Sequence, residues 1–257
     1  MLCGTIIPLG VIAFYGLTDR SGAFTIENIT SISTPEHIEA LGLSLLLAFV
    51  STVICLIIAF PLGLILRDSG LGKKGFIVFV FILPMWMNFL LRTMAWQVLL
   101  EKNGVINSVL DTIGLPALEI INTPAAVVLG MVYDYLPFMI LPIYNTLIKI
   151  DNHVIEAAYD LGANFREVLQ KIIIPLSIPG IVSGVTMVFV PSLTTFAVSN
   201  ILGGGKVNLI GNIIEQEFTT SFNWNLGAGL SLVMMIFIVI SMAFIEKFDR
   251  NGEGNMI

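Results

Sequence analysis

The stretch EAAYDLGANFRE at residues 156–167, followed by IIIP at residues 172–175, decides the fold. It is a polar segment with a regular pattern, set between long apolar runs. Apolar residues recur through it with the spacing of one helical face, at Val154, Ala158, Leu161, Phe165, Val168, Leu169 and Ile172. The pattern predicts amphipathic helical structure beside a membrane.

Glycine and capping residues divide this stretch into two predicted helices. Gly162 interrupts the apolar pattern, as a residue that ends a helix does. Asn164 is followed three residues later by Glu167, which matches a capping box at the start of a second helix. We therefore expect a helix, a turn and a second helix just below the membrane. We also expect Pro175 and Pro179 to permit a turn into the next apolar run.

The composition indicates a protein that crosses a membrane several times. Hydrophobic residues make up 56% of the 257 residues, charged residues make up 12%, and the mean hydropathy is +0.93. A soluble globular domain does not need so much apolar surface. The sequence has no Cys/His cluster, no glycine-rich phosphate loop and no basic patch, so we expect neither a metal site nor a nucleic-acid partner.

Six apolar runs predict six transmembrane helices in one all-α domain covering residues 1–257. The first run is short, because a crossing needs about 20 residues. Thr34-Pro35 and Thr123-Pro124 match helix starts, and a short helix is expected at residues 104–113. The predicted spans lie at about 1–17, 38–66, 76–99, 124–147, 178–199 and 224–246, with a cytosolic loop at about 149–176.

The distribution of Lys and Arg predicts the orientation of these helices. If the N-terminus is inside, the inner segments carry Arg67, Lys73, Lys74, Lys149, Arg166, Lys171, Lys247 and Arg250. The outer segments then carry only Arg20, Lys102 and Lys206. We therefore expect both termini and residues 156–167 on the cytoplasmic side.

Two charged residues lie inside predicted spans. Asp134 is about 15 Å deep at a rise of ~1.5 Å per residue, and Arg92 is roughly 10 Å from the outer boundary. An ionised carboxylate there costs at least ~2.5–3.5 kcal/mol, so it needs a cavity or a partner. Two interpretations stay open. In the first interpretation the two residues are structural: Arg92 pairs with Asp134 and joins two helices, or Arg92 snorkels outward. In the second, Asp134, beside Tyr133 and Tyr135, lines the path of a cationic substrate.

Prolines interrupt three of the predicted spans, at Pro61, at Pro137 with Pro142, and at Pro191. Each proline frees a backbone carbonyl, which is tolerated only within protein or beside water. Interrupted helices of this kind line transport paths in membrane proteins. Plain structural kinking is the alternative, and the sequence leaves both interpretations open.

The sequence EAA at 156–158, followed by Gly162, Ile172 and an aliphatic-Pro pair at 174–175, resembles the EAA loop of MetI-like ABC-importer permeases. Ile174 stands where the family pattern has Leu, a mild departure. The resemblance implies that the first short helix is a coupling helix, which docks in a groove of a cytosolic ATPase. The alternative is an amphipathic surface helix without a partner. The implied coupling residues are Glu156, Ala157, Ala158, Asp160 and Gly162.

Three further segments resemble the spermidine/putrescine branch of these permeases: residues 203–214, residues 91–93 and residues 136–139. The resemblance covers about residues 8–250. A polyamine needs carboxylates at intervals and aromatic faces, where a cation–π contact contributes ~0.5–2 kcal/mol. The candidate residues of the substrate path are Arg92, Tyr133, Asp134, Tyr135, Phe196 and Glu215, with Glu217 and Phe218 beside them. Glu215 and Glu217 are equally compatible with solvated charges in an outer loop.

The resemblance implies a transport subunit of a bacterial cell membrane that is not an enzyme and binds no cofactor itself. It implies four kinds of partner: a homologous second permease, two copies of a cytosolic ABC ATPase that use ATP and Mg, an extracytoplasmic polyamine-binding protein, and the lipid bilayer. One alternative keeps the importer but changes its substrate, for example to ferric iron or another small solute. An ATP-independent channel or secondary transporter, and a membrane scaffold that transports nothing, also stay open.

Overall fold

The structure, a computed structural model, describes residues 2–68 and 83–254 and is helical in these ranges. They contain no named strand, and the isolated β-bridge found there joins Thr18 to Phe24. The predicted all-α fold is therefore confirmed. The helices are α1 (Leu2–Gly16), α2 (Glu27–Thr30), α3 (Pro35–Asp68), α4 (Phe89–Leu100), α5 (Val105–Thr112), α6 (Pro124–Leu147), α7 (Asn152–Asp160), α8 (Phe165–Val168), α9 (Ile174–Thr194), α10 (Ala197–Gly203), α11 (Ile210–Thr219) and α12 (Trp224–Gly254). Short 3-10 turns cover Ser31–Ser33 and Leu83–Trp86.

Four of the described helices are long and apolar enough to cross a membrane: α3, α6, the continuous helix Phe165–Thr194, and Trp224–Ile245 within α12. They fall at the predicted second, fourth, fifth and sixth spans. Helix α1 occupies the predicted first span, but its 15 residues are fewer than the roughly 20 that a crossing needs. The predicted third span, 76–99, begins within residues 69–82, which lie outside the described residues, as does the basic pair at 73–74.

Two helix starts predicted from Thr-Pro pairs are confirmed. Helix α3 begins at Pro35 after Thr34, whose backbone is extended at φ −65° and ψ 145°. Helix α6 begins at Pro124 after Thr123. Proline costs little there, because the N–H that it lacks would be unpaired in the first turn of a helix. The short helix expected at residues 104–113 is also present, as α5.

The turn expected at Pro175 and Pro179 is wrong, because the chain remains helical through both. Helix α8 passes through a π-helical turn, Leu169–Ile173, directly into α9, which makes one helix of 30 residues. The ring of a proline clashes with the carbonyl four residues earlier, which for Pro175 is that of Lys171. Since Lys171 lies in the wider π-helical turn, the clash is accommodated there. This helix ends at Thr194, before residue 199 where the sequence suggested.

The chain divides into two compact units. The first consists of Met1–Leu47, Trp96–Val127 and Leu193–Met242. The second consists of Ala48–Ala95, Val128–Ser192 and Ala243–Ile257. The second unit contains the predicted coupling segment together with Arg92 and Asp134, and the first unit contains Phe196 and Glu215.

Close helix packing holds the second unit together. An ideal Cβ at Gly180 of α9 would lie 2.7 Å from the Pro142 carbonyl oxygen of α6, and one at Gly184 would lie 2.7 Å from Met139 Sδ. Small residues four apart thus let two backbones approach, as is usual where lipid offers no hydrophobic driving force. Around this contact lies a core of fully or almost fully buried side chains, including Cys55, Ala59, Ile140, Ile143, Leu147, Val168 and Val188.

Polar contacts to one loop hold part of the first unit together. The side-chain Nδ2 atoms of Asn28 and Asn225 both donate to the Thr18 carbonyl oxygen, at 2.9 Å and 2.7 Å. In the same loop Asp19 Oδ1 accepts hydrogen bonds from the backbone N–H and the hydroxyl of Ser21, at 2.8 Å and 2.6 Å. These bonds fix the connection between α1 and α2 against the start of α12.

Candidate functional site

The predicted coupling helix is present in the second unit as α7, and its start is fixed from two sides. Asp151 Oδ1 accepts a hydrogen bond from the His153 backbone N–H at 2.9 Å, which caps the first turn. Arg67, at the end of α3, donates through Nη2 to the Ile150 carbonyl oxygen at 3.2 Å and to Asn152 Oδ1 at 2.7 Å. The Arg67 guanidinium therefore holds the start of α7 against the end of α3.

Helix α7 ends in a turn that requires glycine. Gly162 has φ +87°, in the left-handed region, and an ideal Cβ there would meet nothing within 4 Å. Glycine is therefore needed for its backbone conformation and not for space. Beyond the turn, Asn164 and Glu167 form the predicted capping box, in which each side chain accepts the other residue's backbone N–H at 3.0 Å. The predicted helix, glycine turn and second helix are confirmed.

The implied coupling residues differ in exposure. Ala158 is half-buried, packs against the apolar core of the second unit and lines a cavity of about 340 Å³ beside Val168. The other four implied coupling residues are exposed: Glu156, Ala157, Asp160 and Gly162. Ala158 thus packs α7 against the apolar core of the second unit, whereas the other four residues are exposed, Gly162 among them at the edge of the same cavity.

Four apolar side chains around the turn are exposed, and we call them the docking patch: Val154 at 47%, Tyr159 at 44%, Leu161 at 89% and Phe165 at 62% exposure. The sequence pattern placed Val154, Leu161 and Phe165 at the spacing of one helical face with Ala158 and Ile172. In the structure the first three are exposed, whereas Ala158 and Ile172 are half-buried. The left-handed residue Gly162 changes the chain direction, so one helical period does not continue across it. Apolar side chains exposed around a single turn are a candidate interaction site.

Arg92 and Asp134 form a buried ion pair in the second unit. Arg92 Nη2 lies 3.3 Å from Asp134 Oδ1, and the two side chains are only 6% and 2% exposed. Thr93 Oγ1 lies 2.9 Å from Asp134 Oδ2 and 2.9 Å from the Phe89 carbonyl oxygen, so its hydroxyl can donate to either. The snorkelling interpretation of Arg92 is therefore wrong, and the pair that the sequence left open is present.

The ion pair borders an open space. Arg92, Asp134, Tyr135 and Phe138 line a cavity of about 450 Å³ together with Met85, Met87, Asn88 and Phe89. The Arg92 guanidinium carbon lies 5.9 Å from the centre of the Tyr133 ring, within the range of a cation–π contact. Within the described protein, Arg92 Nε, Arg92 Nη1 and Asp134 Oδ1 have no hydrogen-bond partner. Four of the six predicted path residues are thus brought together here.

The other two predicted path residues, Phe196 and Glu215, line a cavity of about 530 Å³ in the first unit. Phe218 also lines it, and most of the remaining wall is apolar. Glu215 is half-buried, and its Oε1 accepts a hydrogen bond from Thr219 Oγ1 at 3.0 Å. Glu217 is not part of this wall and accepts a hydrogen bond from Ser221 Oγ at 3.2 Å. The cavity therefore combines a carboxylate with two aromatic rings.

A helix break shapes this cavity, and the sequence did not identify the residue that holds it. Asn212 is 6% exposed. Its Oδ1 accepts from Ser199 Oγ at 2.6 Å and from the Leu209 backbone N–H at 2.9 Å. Its Nδ2 donates to Asn200 Oδ1 at 2.6 Å and to the Phe196 carbonyl oxygen at 3.2 Å. The amide thereby uses its full hydrogen-bonding capacity, and it joins the start of α10 to the start of α11.

Gly211 lets α11 approach the end of α9 closely. An ideal Cβ at Gly211 would lie 2.7 Å from the Thr195 carbonyl oxygen and 2.8 Å from that of Thr194. The positive end of the α11 dipole therefore meets the negative end of α9. In the sequence, Gly211 and Asn212 were noticed only as part of residues 203–214. A buried asparagine at a helix start, in an otherwise apolar segment, was the signal available.

Residues 59–251 match the family model described as "Binding-protein-dependent transport system inner membrane component". The chain is 37% identical over 235 residues to the spermidine/putrescine transport system permease protein PotB of Haemophilus influenzae, covering 89% of this chain and 82% of that protein. It is 36% identical to PotB of Escherichia coli, covering 88% and 83% of the two chains. It is 30% identical to the inner membrane ABC transporter permease protein YdcU of Escherichia coli, covering 95% and 83%.

Solved structures share the fold. A bacterial ABC transporter involved in the import of the acidic polysaccharide alginate superposes with a TM-score of 0.79 at 15% identity, covering 98% of this chain and 90% of that one. The MetNI methionine ABC transporter in an inward-facing conformation superposes with a TM-score of 0.55 at 19% identity, covering 84% and 94%. At these identities the likeness concerns the fold alone.

Proposed function

The chain belongs to the family of binding-protein-dependent transport system inner membrane components, and we propose that it is the permease subunit of an ATP-driven importer of polyamines. In this role it performs no chemistry. ATP and Mg act at a separate cytosolic ATPase, present in two copies, and a binding protein outside the membrane delivers spermidine or putrescine. A second, homologous permease completes the path through the bilayer.

The docking patch is the observation that carries this proposal. Helix α7 is capped at Asp151, tied to α3 by Arg67 and ended by Gly162, so its position is well defined. Yet the four apolar side chains of the patch are 44–89% exposed, and Leu161 is the most exposed of them at 89%. A fixed helix with an uncovered apolar surface suits docking into a groove of another protein. We assign that groove to the ATPase.

The polyamine assignment rests on the relatives' names and on the chemistry of the two cavities. Polyamines are flexible chains of ammonium groups, which pair with carboxylates and stack on aromatic rings. The cavity in the first unit offers Glu215, Phe196 and Phe218, and that in the second unit offers Asp134 and Tyr135. Each unit thus supplies its own subsite of suitable chemistry.

Transport follows from a change between two states. Nucleotide binding draws the two ATPases together, and their grooves carry the coupling helices with them. The permease thereby alternates between a state open to the outside and one open to the cytoplasm, because the nucleotide-bound and nucleotide-free ATPases favour different states. This requires α7 on the cytoplasmic side, with both termini there as the Lys and Arg distribution predicts.

Uptake measurements test the function. Cells that lack this protein should lose uptake of radiolabelled spermidine and putrescine, and the wild-type gene should restore it. The double variant Leu161→Ser with Phe165→Ser should insert normally but fail to restore uptake, because each lost apolar contact costs about 1.5–3 kcal/mol at the docking surface. Phe24→Ser with Ile26→Ser is the control, since these exposed side chains lie elsewhere, at 76% and 56% exposure. Uptake by the docking-patch variant at the wild-type rate would favour a channel or a secondary transporter.

Cysteine labelling tests the orientation. In a chain whose Cys3 and Cys55 are replaced, a cysteine at exposed position Ala157 should react with a membrane-impermeant thiol reagent only in inside-out vesicles. A cysteine at exposed position Ser21 should react only in right-side-out vesicles. Crosslinking from Ala157 should also capture the ATPase. Labelling of Ala157→Cys from outside the cell would overturn the proposed function.

A further inference from the structure

The Arg92–Asp134 ion pair is too poorly satisfied to serve only as a helix clamp. A buried pair that stabilises a fold needs good geometry and further hydrogen bonds on both partners. Here a single approach of 3.3 Å joins the two side chains. Within the described protein, two guanidinium nitrogens and Asp134 Oδ1 lack hydrogen-bond partners. A bidentate pair would use both carboxylate oxygens, which this pair does not.

The two oxygens of Asp134 have separate roles. Oδ2 lies 2.9 Å from the Thr93 hydroxyl, which can donate a hydrogen bond to it. Oδ1 is buried and lies 3.3 Å from Arg92 Nη2, and the residues Arg92 and Asp134 both line the cavity of about 450 Å³. This volume lies within the ~300–1,000 Å³ typical of ligand sites. One oxygen of Asp134 therefore lies beside Thr93, and the other faces the guanidinium that a cation entering from the cavity would have to replace.

We propose that Asp134 is a cation subsite that Arg92 fills in the absence of substrate, and that an ammonium group of the polyamine replaces the guanidinium there. This inference rests on the proposed function and adds a specificity-determining residue to it. When the guanidinium leaves Oδ1, the face of Tyr133, 5.9 Å from its carbon, can still hold it. The carboxylate therefore keeps one cationic partner throughout, and the displaced guanidinium keeps its cation–π contact.

This exchange makes the site selective for cations. A neutral or anionic solute gains nothing by entering, because it cannot displace a guanidinium from a carboxylate. A polyamine must compete with Arg92, which is tethered and therefore always present. The apparent affinity for the polyamine is lower than the intrinsic affinity, because the polyamine cannot bind to Asp134 during the fraction of time in which Arg92 occupies it. If that fraction is about nine-tenths, removing Arg92 should tighten binding roughly tenfold.

The exchange of Arg92 for an ammonium group is tested by a binding assay. Radiolabelled spermidine is bound to the purified importer in nanodiscs, without binding protein or nucleotide. Arg92→Gln should bind spermidine several-fold more tightly than wild type, and Asp134→Asn should lose binding. The double variant Arg92→Asp with Asp134→Arg keeps an ion pair and should fold, yet it should not bind. If the double variant binds normally, or Arg92→Gln binds no more tightly than wild type, the pair only joins two helices and the proposal fails.

A measurement on the wild-type chain covers the case in which these variants fail to fold. Phenylglyoxal modification of Arg92, read by mass spectrometry, should increase when spermidine is added. Arg67 is the matched control, because its side chain is 9% exposed against 6% for Arg92, and its modification should not change. Unchanged Arg92 labelling, or an equal rise at both arginines, overturns the exchange. Failure of the wild-type importer to take up spermidine would instead overturn the proposed function.

Discussion

Replacing Gly162 by alanine should impair transport without any steric clash. The residue has φ +87°, and an ideal Cβ there would meet nothing within 4 Å. The whole effect therefore comes from the left-handed backbone, which costs an L-residue about 1–2 kcal/mol. That cost corresponds to roughly a 5- to 30-fold shift away from the native turn. Because Gly162 sets the direction of the chain between Leu161 and Phe165, the shift should disperse the docking patch.

Gly22 provides a matched control for this prediction. It has φ +84°, and an ideal Cβ there would also meet nothing within 4 Å. Gly22→Ala therefore carries a similar backbone cost, but in the loop between α1 and α2. Both variants should lose similar stability, and only Gly162→Ala should uncouple the ATPase. Gly162→Asn should be milder than Gly162→Ala, because asparagine tolerates the left-handed region better than other non-glycine residues.

The assay is spermidine-stimulated ATP hydrolysis by the complete importer in proteoliposomes, measured together with spermidine uptake. Gly162→Ala should lower both by several-fold at unchanged protein content. Equal activity of the Gly162→Ala and Gly22→Ala variants would refute the reasoning, since backbone strain would then act through global stability alone. A Gly162→Asn variant as impaired as Gly162→Ala would refute it too.

Three further predictions concern the supports of the fold. Arg67→Ala removes hydrogen bonds from a charged donor, each worth about 1.5–3 kcal/mol. The backbone amides of α7 should therefore exchange hydrogen at least ~10-fold faster. The control variant Arg166→Ala should leave these exchange rates unchanged. Gly180→Val places a Cβ 2.7 Å from the Pro142 carbonyl oxygen and should lower the yield of folded protein, whereas Gly42→Val, with nothing within 4 Å, should not. The pKa of Asp19 is lowered by the Ser21 hydroxyl and then by the Ala23 backbone N–H; its stabilising effect should therefore exist above the ordinary carboxyl pKa and disappear as the pH falls through the lowered one. The difference in melting temperature between wild type and Asp19→Asn should accordingly be present at neutral pH and vanish in acid.

Each of these predictions can be contradicted by its control. Equal hydrogen exchange in the Arg67→Ala and Arg166→Ala variants would mean that α7 is held by apolar packing alone. Equal yields of the Gly180→Val and Gly42→Val variants would mean that α6 and α9 can separate without loss. A difference in melting temperature between wild type and Asp19→Asn that persists in acid would mean that Asp19 does not stabilise the protein through its charge.

Local signals in the sequence were sufficient for the helix starts and the coupling turn. Thr34-Pro35, Thr123-Pro124 and the Asn164/Glu167 box act within one helical turn, so neighbouring residues determine the outcome. The expectation at Pro175 failed because the π-helical turn before it accommodates the ring clash at Lys171. A proline alone does not reveal whether the preceding turn can widen.

Features that depend on distant contacts were harder to predict. The sequence suggested both a clamp and a substrate path for Arg92 and Asp134, and only the geometry reveals that the pair is incomplete and borders a cavity. Asn212 was missed because two of its side-chain partners, Ser199 and Asn200, lie on another helix, α10. The exposure of the docking patch could not be predicted, because an apolar pattern identifies the face of a helix but not whether this chain covers it.

The unbroken helix from Phe165 to Thr194 has a mechanical consequence. At 30 residues and ~1.5 Å per residue it is a rod of about 45 Å. No loop interrupts the helix between Phe165 and Thr194, so a force applied at Phe165 acts on a continuous hydrogen-bonded backbone. The π-helical turn, Leu169–Ile173, is the widely wound part of this helix. Bending under such a force should therefore begin at this turn, and it reduces the movement that reaches Thr194.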